Sequence, residues 1–184
     1  SPYAINIEIG SELSKSYQAR QEIEKRQRDN EKKHKAYEQA IANLLNKDVS
    51  EVTGAMLERY ELGEEQNWQC LYSGEPIDKK AAVVNTGKIF EVDHIVPFSL
   101  ILDNTLQNKA LVYARENQNK KQRVPLEYLN GEAEKNYRAR VNKLFRDKKI
   151  SAVKYAYLMA KSIYDNDQIS AWKSRNLNDT RYIS

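Results

Sequence analysis

Apolar and polar residues change rhythm several times along this chain, and each rhythm predicts an element. At the start, Tyr3, Ile5, Ile7 and Ile9 alternate with polar Asn6 and Glu8. That period of two predicts a strand over residues 1–10, and within this chain the residues favour an edge strand with a solvated Glu8. A helix is predicted next, N-capped by Ser11 or Ser14 and running towards Asn46. Its middle can bury nothing, because from Glu24 to Lys35 nine of twelve residues are charged and none is apolar; this stretch reads as a solvated arm. Mixed charges at four-residue spacing favour self-stabilised exposure of the arm over contact with DNA. Tyr37, Ala40, Ile41, Leu44 and Leu45 then restore a helical stripe that can dock on a core.

Further along, Thr53 to Glu65 predict a helix with Met56, Leu57 and Tyr60 inward and Gly63 near its end. Trp68, Cys70, Leu71 and Tyr72 predict a short strand, and Ser73, Gly74 and Pro76 supply turn chemistry after it. Residues 78–88 read as a loop, with a tight turn at Asn85-Thr86-Gly87. Two more strands are predicted, Lys88 to Val92 and Lys109 to Ala114, separated by a loop carrying Pro97 and Asp103-Asn104-Thr105, and a polar helix starts at Arg115. Glu132 to Phe145 and Ser151 to Ile163 predict two amphipathic helices, the first lined by Ala133, Tyr137, Val141 and Leu144, the second by Ala152, Ala156, Met159 and Ile163. There are no repeats and no low-complexity linker.

Composition narrows the class of protein. With 184 residues the chain can hold one compact domain plus helical extensions. No apolar run approaches the roughly 18 residues a membrane span needs, and nothing resembles a signal peptide, so no membrane partner is expected. The single cysteine, Cys70, has no partner for an internal disulfide, which suits a reducing cytoplasm. It also lacks the companion thiolates of a closed zinc site, so no structural zinc is expected and Cys70 reads as a buried small hydrophobe. The net charge of +4, from 30 Lys plus Arg against 26 Asp plus Glu, does not by itself point to nucleic acid.

The candidate chemistry lies between Phe90 and Asn117. An Asp93-His94 pair closes a short apolar run, Asn108 follows a loop, and Asn117 follows a second apolar run. His94, with a reference pKa of about 6.5, is suited to taking a proton from water. Asp93 and the amide oxygen of Asn117 are hard ligands of the kind Mg²⁺ prefers beside phosphates and retained waters. An Asp-His dipeptide alone reads as a structural hydrogen-bonding pair; the strand, loop, strand, helix context is what favours chemistry. Beside Asn117, the segment from Asn119 to Arg123 is basic. Lys120 foremost, with Lys121, Arg123 and also Lys109, are candidate phosphate contacts, and a solvated helix face is the simpler alternative.

This constellation resembles the HNH nucleases and their ββα-metal fold. VDHIVPFS, the Asn108-Lys109 pair, Arg115-Glu116-Asn117 and Val124-Pro125 resemble one branch of that family, the HNH domain of type II CRISPR RNA-guided DNA endonucleases. Ile5 to Leu13 is similar to the second segment of the split RuvC domain in those enzymes, and Arg175 to Ser184 to the start of the third. The resemblance implies an α+β, mostly helical fold with a small ββα-metal centre and helical extensions. It implies four segments: a RuvC-like flank over 1–13, a connecting helix over 14–49, the HNH domain with C-terminal helices over 50–172 and a second RuvC-like flank over 173–184. It further implies a Mg²⁺-dependent endonuclease, with Mn²⁺ as an alternative ion, cutting the DNA strand paired to guide RNA, in the cytoplasm of a bacterium or archaeon. His94 would be the general base, Asp93 and Asn117 would hold the ion, and Asn108 would brace the loop carrying His94. Glu8 would match a ligand of the RuvC site, idle here because its companion ligands lie outside this sequence. The implied partners are the target strand in its heteroduplex and the remaining domains of the parent effector, with the isolated chain a monomer. Base pairing would read sequence and the nuclease module would dock afterwards. Two other classes stay open: a free-standing HNH nuclease, which would cut bare duplex, and a non-catalytic nucleic-acid-binding module, which would need no Mg²⁺.

Overall fold

The computed structural model describes residues 2–181 and divides into two compact units at Val52/Thr53. The first unit is one long helix, α1 (Pro2–Leu45), followed by a 3-10 turn at Val49–Glu51. Pro2 begins it, where a missing N–H costs nothing. Asn46 ends it in the left-handed region at φ 50°, letting Lys47 N–H donate to the Ala42 carbonyl. Asp48 then caps the 3-10 turn: its side chain accepts from Ser50 N–H at 2.9 Å, and Glu51 reaches back to Asp48 N–H at 2.9 Å.

Of the strand predicted over residues 1–10, residues 2–10 are therefore helix, with no break at Ser11 or Ser14. Alternation stabilises a strand only where a sheet receives it. Among the described residues the sheet has two strands, both far away in sequence, and an unpartnered strand would leave its N–H and C=O groups unsatisfied, whereas a helix pairs its own. The cost is visible in exposure: Tyr3 (81%), Ile5 (58%), Ile7 (67%) and Ile9 (50%) scatter around α1 in solvent, because period two does not make a helical stripe. Glu8 is exposed on the same helix. The flanking segments 1–13 and 173–184 also include Ser1 and residues 182–184, which lie outside the described residues.

The second unit is α+β and mostly helical, as the resemblance implies. Its order is α2 (Gly54–Glu65), α3 (Lys79–Val84), β1 (Phe90–His94), α4 (Phe98–Ile101), a 3-10 turn at Leu106–Asn108, β2 (Lys109–Tyr113), α5 (Ala114–Lys120), α6 (Pro125–Tyr128), α7 (Gly131–Arg146), α8 (Ala152–Leu158) and α9 (Asn166–Arg181). β1 and β2 pair antiparallel, with Phe90 opposite Tyr113 and His94 opposite Lys109. A two-stranded ribbon is marginal alone, and side-chain amides support both of its outer edges. Asn85 accepts from Phe90 N–H at 3.2 Å and donates to its carbonyl at 2.9 Å. Buried Gln66 does the same for Leu111, at 2.8 Å in each direction. Behind the ribbon, Leu71, Ile95, Ile101, Leu111, Tyr137 and Tyr157 belong to one buried core.

Elsewhere sequence and structure differ locally. The strand predicted at Trp68 to Tyr72 is a compact turn with a single bridge, Gln69 to Pro76. Asn67 and Trp68 both sit at φ 54°, which a strand cannot accommodate. Gly74, at φ +77°, lets the turn pass under Arg140: a Cβ there would lie 2.5 Å from the guanidinium, which donates to the Leu71 and Tyr72 carbonyls at 3.0 and 2.8 Å. Within the predicted 78–88 loop, Asp78 caps Ala81 N–H at 2.8 Å and starts α3. The helix predicted to Ile163 stops at Leu158, and α8 buries Lys154, Tyr157 and Leu158; of the predicted stripe, Ala156, Met159 and Ile163 pack partly buried against the core, whereas Ala152 is exposed. Lys154 can be buried because its ammonium meets Glu65 at 3.0 Å and the Leu106 carbonyl at 3.2 Å.

Candidate active site

β1 delivers Asp93 and His94 together at its end, and α5, which starts as soon as β2 finishes, delivers Asn117. All three line one open cleft of about 280 Å³ with Pro97, Phe98, Ser99, Lys120, Lys121 and Gln122. Asn108 is not in the cleft. It is fully buried and ties the chain after β1: its amide accepts from Val96 N–H at 2.9 Å and donates to the Val96 and Asp103 carbonyls at 2.9 and 3.1 Å. Its own carbonyl accepts from Ile95 N–H at 2.9 Å.

His94 Nε2 lies 2.8 Å from Asn104 Oδ1. An amide oxygen only accepts, so in this geometry Nε2 carries a proton, and in the neutral ring the Nδ1 lone pair is left free. The Phe98 ring, 44% exposed, packs beside the imidazole with centroids 5.6 Å apart. Asn104 itself is held by its loop. Asp103 Oδ1 accepts from Thr105 N–H and Oγ1 at 2.8 and 2.7 Å, and Asp103 Oδ2 accepts from Tyr157 at 2.7 Å. From α9, Arg175 donates to Tyr157 Oη at 2.6 Å and Asn176 to the Ile101 carbonyl at 2.8 Å. Burial first, and then the bond to Asp103, push the Tyr157 hydroxyl up to about 12, so at neutral pH it remains a donor.

Asp93 is almost buried, and one of its oxygens carries two donors: Tyr72 Oη at 2.8 Å and Lys120 Nζ at 2.9 Å both reach Oδ2. Burial, with Asp93 adding to it, holds Tyr72 well above the ordinary phenol range, so it too stays protonated. Burial pulls the Lys120 ammonium below the usual lysine range while the Asp93 carboxylate opposes the shift. Asn117 Nδ2 donates to Glu91 Oε2 at 2.5 Å.

The four basic residues singled out from sequence are not equivalent. Lys120 is buried, bonded to Asp93 and to the His94 carbonyl, and faces the cleft as part of its floor. Arg123 donates to the Asn119, Lys120 and Glu127 carbonyls. Lys109 pairs with Glu58 at 3.1 Å. Lys121 is exposed at the rim. Tyr72, Glu91 and Asn104 were not singled out as functional from sequence. They lie 21, 26 and 10 residues from the groups they touch, and no local pattern announces such pairs.

The donor set fits a hard divalent ion. Asp93 Oδ1 and Asn117 Oδ1 are the branches left by the bonds just described, and both residues face one solvent-open cleft. Among the described residues no three His, Cys, Asp or Glu side chains gather into a closed cage, so an ion held here would keep oxygens of water or substrate in its shell, as Mg²⁺ does.

Residues 70–126 match a protein family described as HNH endonuclease. The chain carries an HNH endonuclease domain. Around it the likeness continues. The CRISPR-associated endonuclease Cas9 1 of Streptococcus thermophilus is 39% identical over 126 residues, which cover 67% of this chain and 11% of that protein. The Staphylococcus aureus CRISPR-associated endonuclease Cas9 is 36% identical over 135 residues, covering 69% and 12%. Crystal structures of Streptococcus thermophilus Cas9 in complex with GGAA and AGGA PAMs superpose with a TM-score of 0.66 at 29% identity, over 89% of this chain and 17% of theirs. The chain thus spans about a tenth of the length of its curated relatives. The HNH domain contains Asp93, His94, Asn104, Asn108 and Asn117, whereas Tyr157, Arg175 and Asn176 lie outside the matched residues.

Proposed function

We propose that this chain is the HNH module of an RNA-guided DNA endonuclease and hydrolyses, with Mg²⁺, the DNA strand paired to guide RNA. The observation that carries the proposal is the placement of His94 in one cleft with Asp93 and Asn117, its Nε2–H spent on Asn104 and its Nδ1 open. Nδ1 accepts the proton of a water attacking phosphorus, and the imidazolium so formed keeps its bond to Asn104 Oδ1. Tyr72 and Lys120 hold Asp93, and Asn108 fixes the backbone that follows His94. Asp93 Oδ1 and Asn117 Oδ1 would hold the ion, which when bound supplies positive charge against the scissile phosphate and the departing 3′ oxygen. Lys121 is placed at the rim for a flanking phosphate. Residues 1–13 and 173–184 belong, in this reading, to a RuvC domain completed by the rest of the parent enzyme, and Glu8 serves there.

The test is His94→Ala in the assembled enzyme. Losing proton transfer should slow cutting of the guide-paired strand by roughly 10²- to 10⁴-fold, with DNA binding unchanged. Near-normal cutting of that strand would remove His94 as the base.

A further inference from the structure

We infer that Glu91 is a positioning residue for the metal ligand Asn117: its carboxylate decides which end of the Asn117 amide faces the cleft. An asparagine side chain has two nearly isosteric ends, and only the oxygen can bind a cation, since the NH₂ group has no lone pair to offer. A ligand of this kind is useful only if something forbids the flipped rotamer. Glu91 lies two residues before Asp93 on β1, so both side chains leave the same face of the strand. Its Oε2 is 2.5 Å from Asn117 Nδ2. A carboxylate only accepts, so the NH₂ end must turn to Glu91, and the chemistry of the pair, independent of which atom was drawn where, fixes Oδ1 as the other branch.

Asp93 is treated in the same way. Tyr72 and Lys120 both occupy Oδ2, which singles out Oδ1 for the cleft. Each candidate ligand is thus oriented by donors or acceptors outside the Asp-His-Asn set, and partners of that kind are worth 10- to 100-fold in metal affinity or activity in sites of this type. Glu91 is the informative one, because it orients a neutral ligand that has two chemically different ends.

The inference rests on Asp93 and Asn117 being the metal-holding pair, and the test separates the two ideas. Mn²⁺ binding to the purified chain is measured by electron paramagnetic resonance, with cleavage by the assembled enzyme followed against Mg²⁺ concentration. Asp93→Ala and Asn117→Ala should each weaken Mn²⁺ binding; if neither does, the metal assignment itself is wrong. Given that result, Glu91→Ala should weaken Mn²⁺ binding by about tenfold or more and shift the Mg²⁺ dependence of cleavage to higher concentration. Glu91→Gln, which keeps the volume and one accepting oxygen but also tolerates the flipped amide, should fall between Glu91→Ala and the parent. The deciding measurement is the double variant. If Glu91 acts through Asn117, adding Glu91→Ala to Asn117→Ala costs nothing more. A further loss in the double variant would make Glu91 an independent ligand, and unchanged Mn²⁺ affinity in Glu91→Ala would make the contact merely structural. Either result overturns the inference.

Discussion

In the proposed mechanism Asn104, a residue whose only sequence signal is its place in a polar loop, sets which nitrogen of neutral His94 carries the proton. Asn104→Ala keeps the imidazole but lets its tautomer and ring orientation drift, and losing a hydrogen bond of about 1 kcal/mol should slow cleavage by roughly 5- to 10-fold. The pH–rate profile should change as well, because the imidazolium loses its acceptor. Asn104→Asp, which keeps an accepting oxygen, should recover most of the rate. A rate and pH profile unchanged in Asn104→Ala would mean that the 2.8 Å contact does not orient the base. What sequence showed at this scale was the set of groups able to do chemistry, Asp93, His94 and Asn117. It could not show their keepers Asn104, Tyr72 and Glu91, because those bonds are made by the fold across intervening chain. Lys120 shows the converse: a lysine in a basic run reads as a phosphate contact, and only its burial beside Asp93 shows that it is also part of the floor of the site.

At the scale of elements, the ribbon that presents the site borrows its edges. Gln66 supplies to Leu111 what a third strand would have supplied. Gln66→Leu strands a buried N–H and C=O, and should cost about 1–3 kcal/mol for each group left unsatisfied, seen as a lower midpoint of chemical unfolding. An unchanged midpoint would show that water replaces the amide. The strand, loop, strand, helix order was legible because it depends on local alternation and turn residues. Where the structure departs from the pattern the reasons differ: no sheet receives residues 2–10, the local cap Asp78 turns part of a loop into α3, and the distant Glu65 allows Lys154 to face inward on α8. Hydropathy alone counts that lysine as surface, so it misses a residue that α8 buries completely.

For the whole molecule, the sparse positive charge matters most. With a net charge of +4, and with Lys109, Lys120 and Arg123 already engaged within the chain, few cations remain to neutralise phosphates near the cleft. Affinity of the isolated chain for duplex DNA should therefore be weak, about 10⁻⁴ M or poorer. Incubated with duplex and Mg²⁺ at low salt, it should cut slowly or not at all; cutting as fast as an assembled enzyme would favour a free-standing nuclease. There is also a lesson about where such a domain may be trimmed. The family match ends at residue 126, yet the loop that presents Asn104 to His94 is anchored by Tyr157, Arg175 and Asn176. A minimal version cut to the recognisable motif would keep the proposed base and metal ligands and lose the side chains that anchor the loop beside His94. The family match and the supports of the proposed site have different boundaries, and the supports extend to Asn176 in α9.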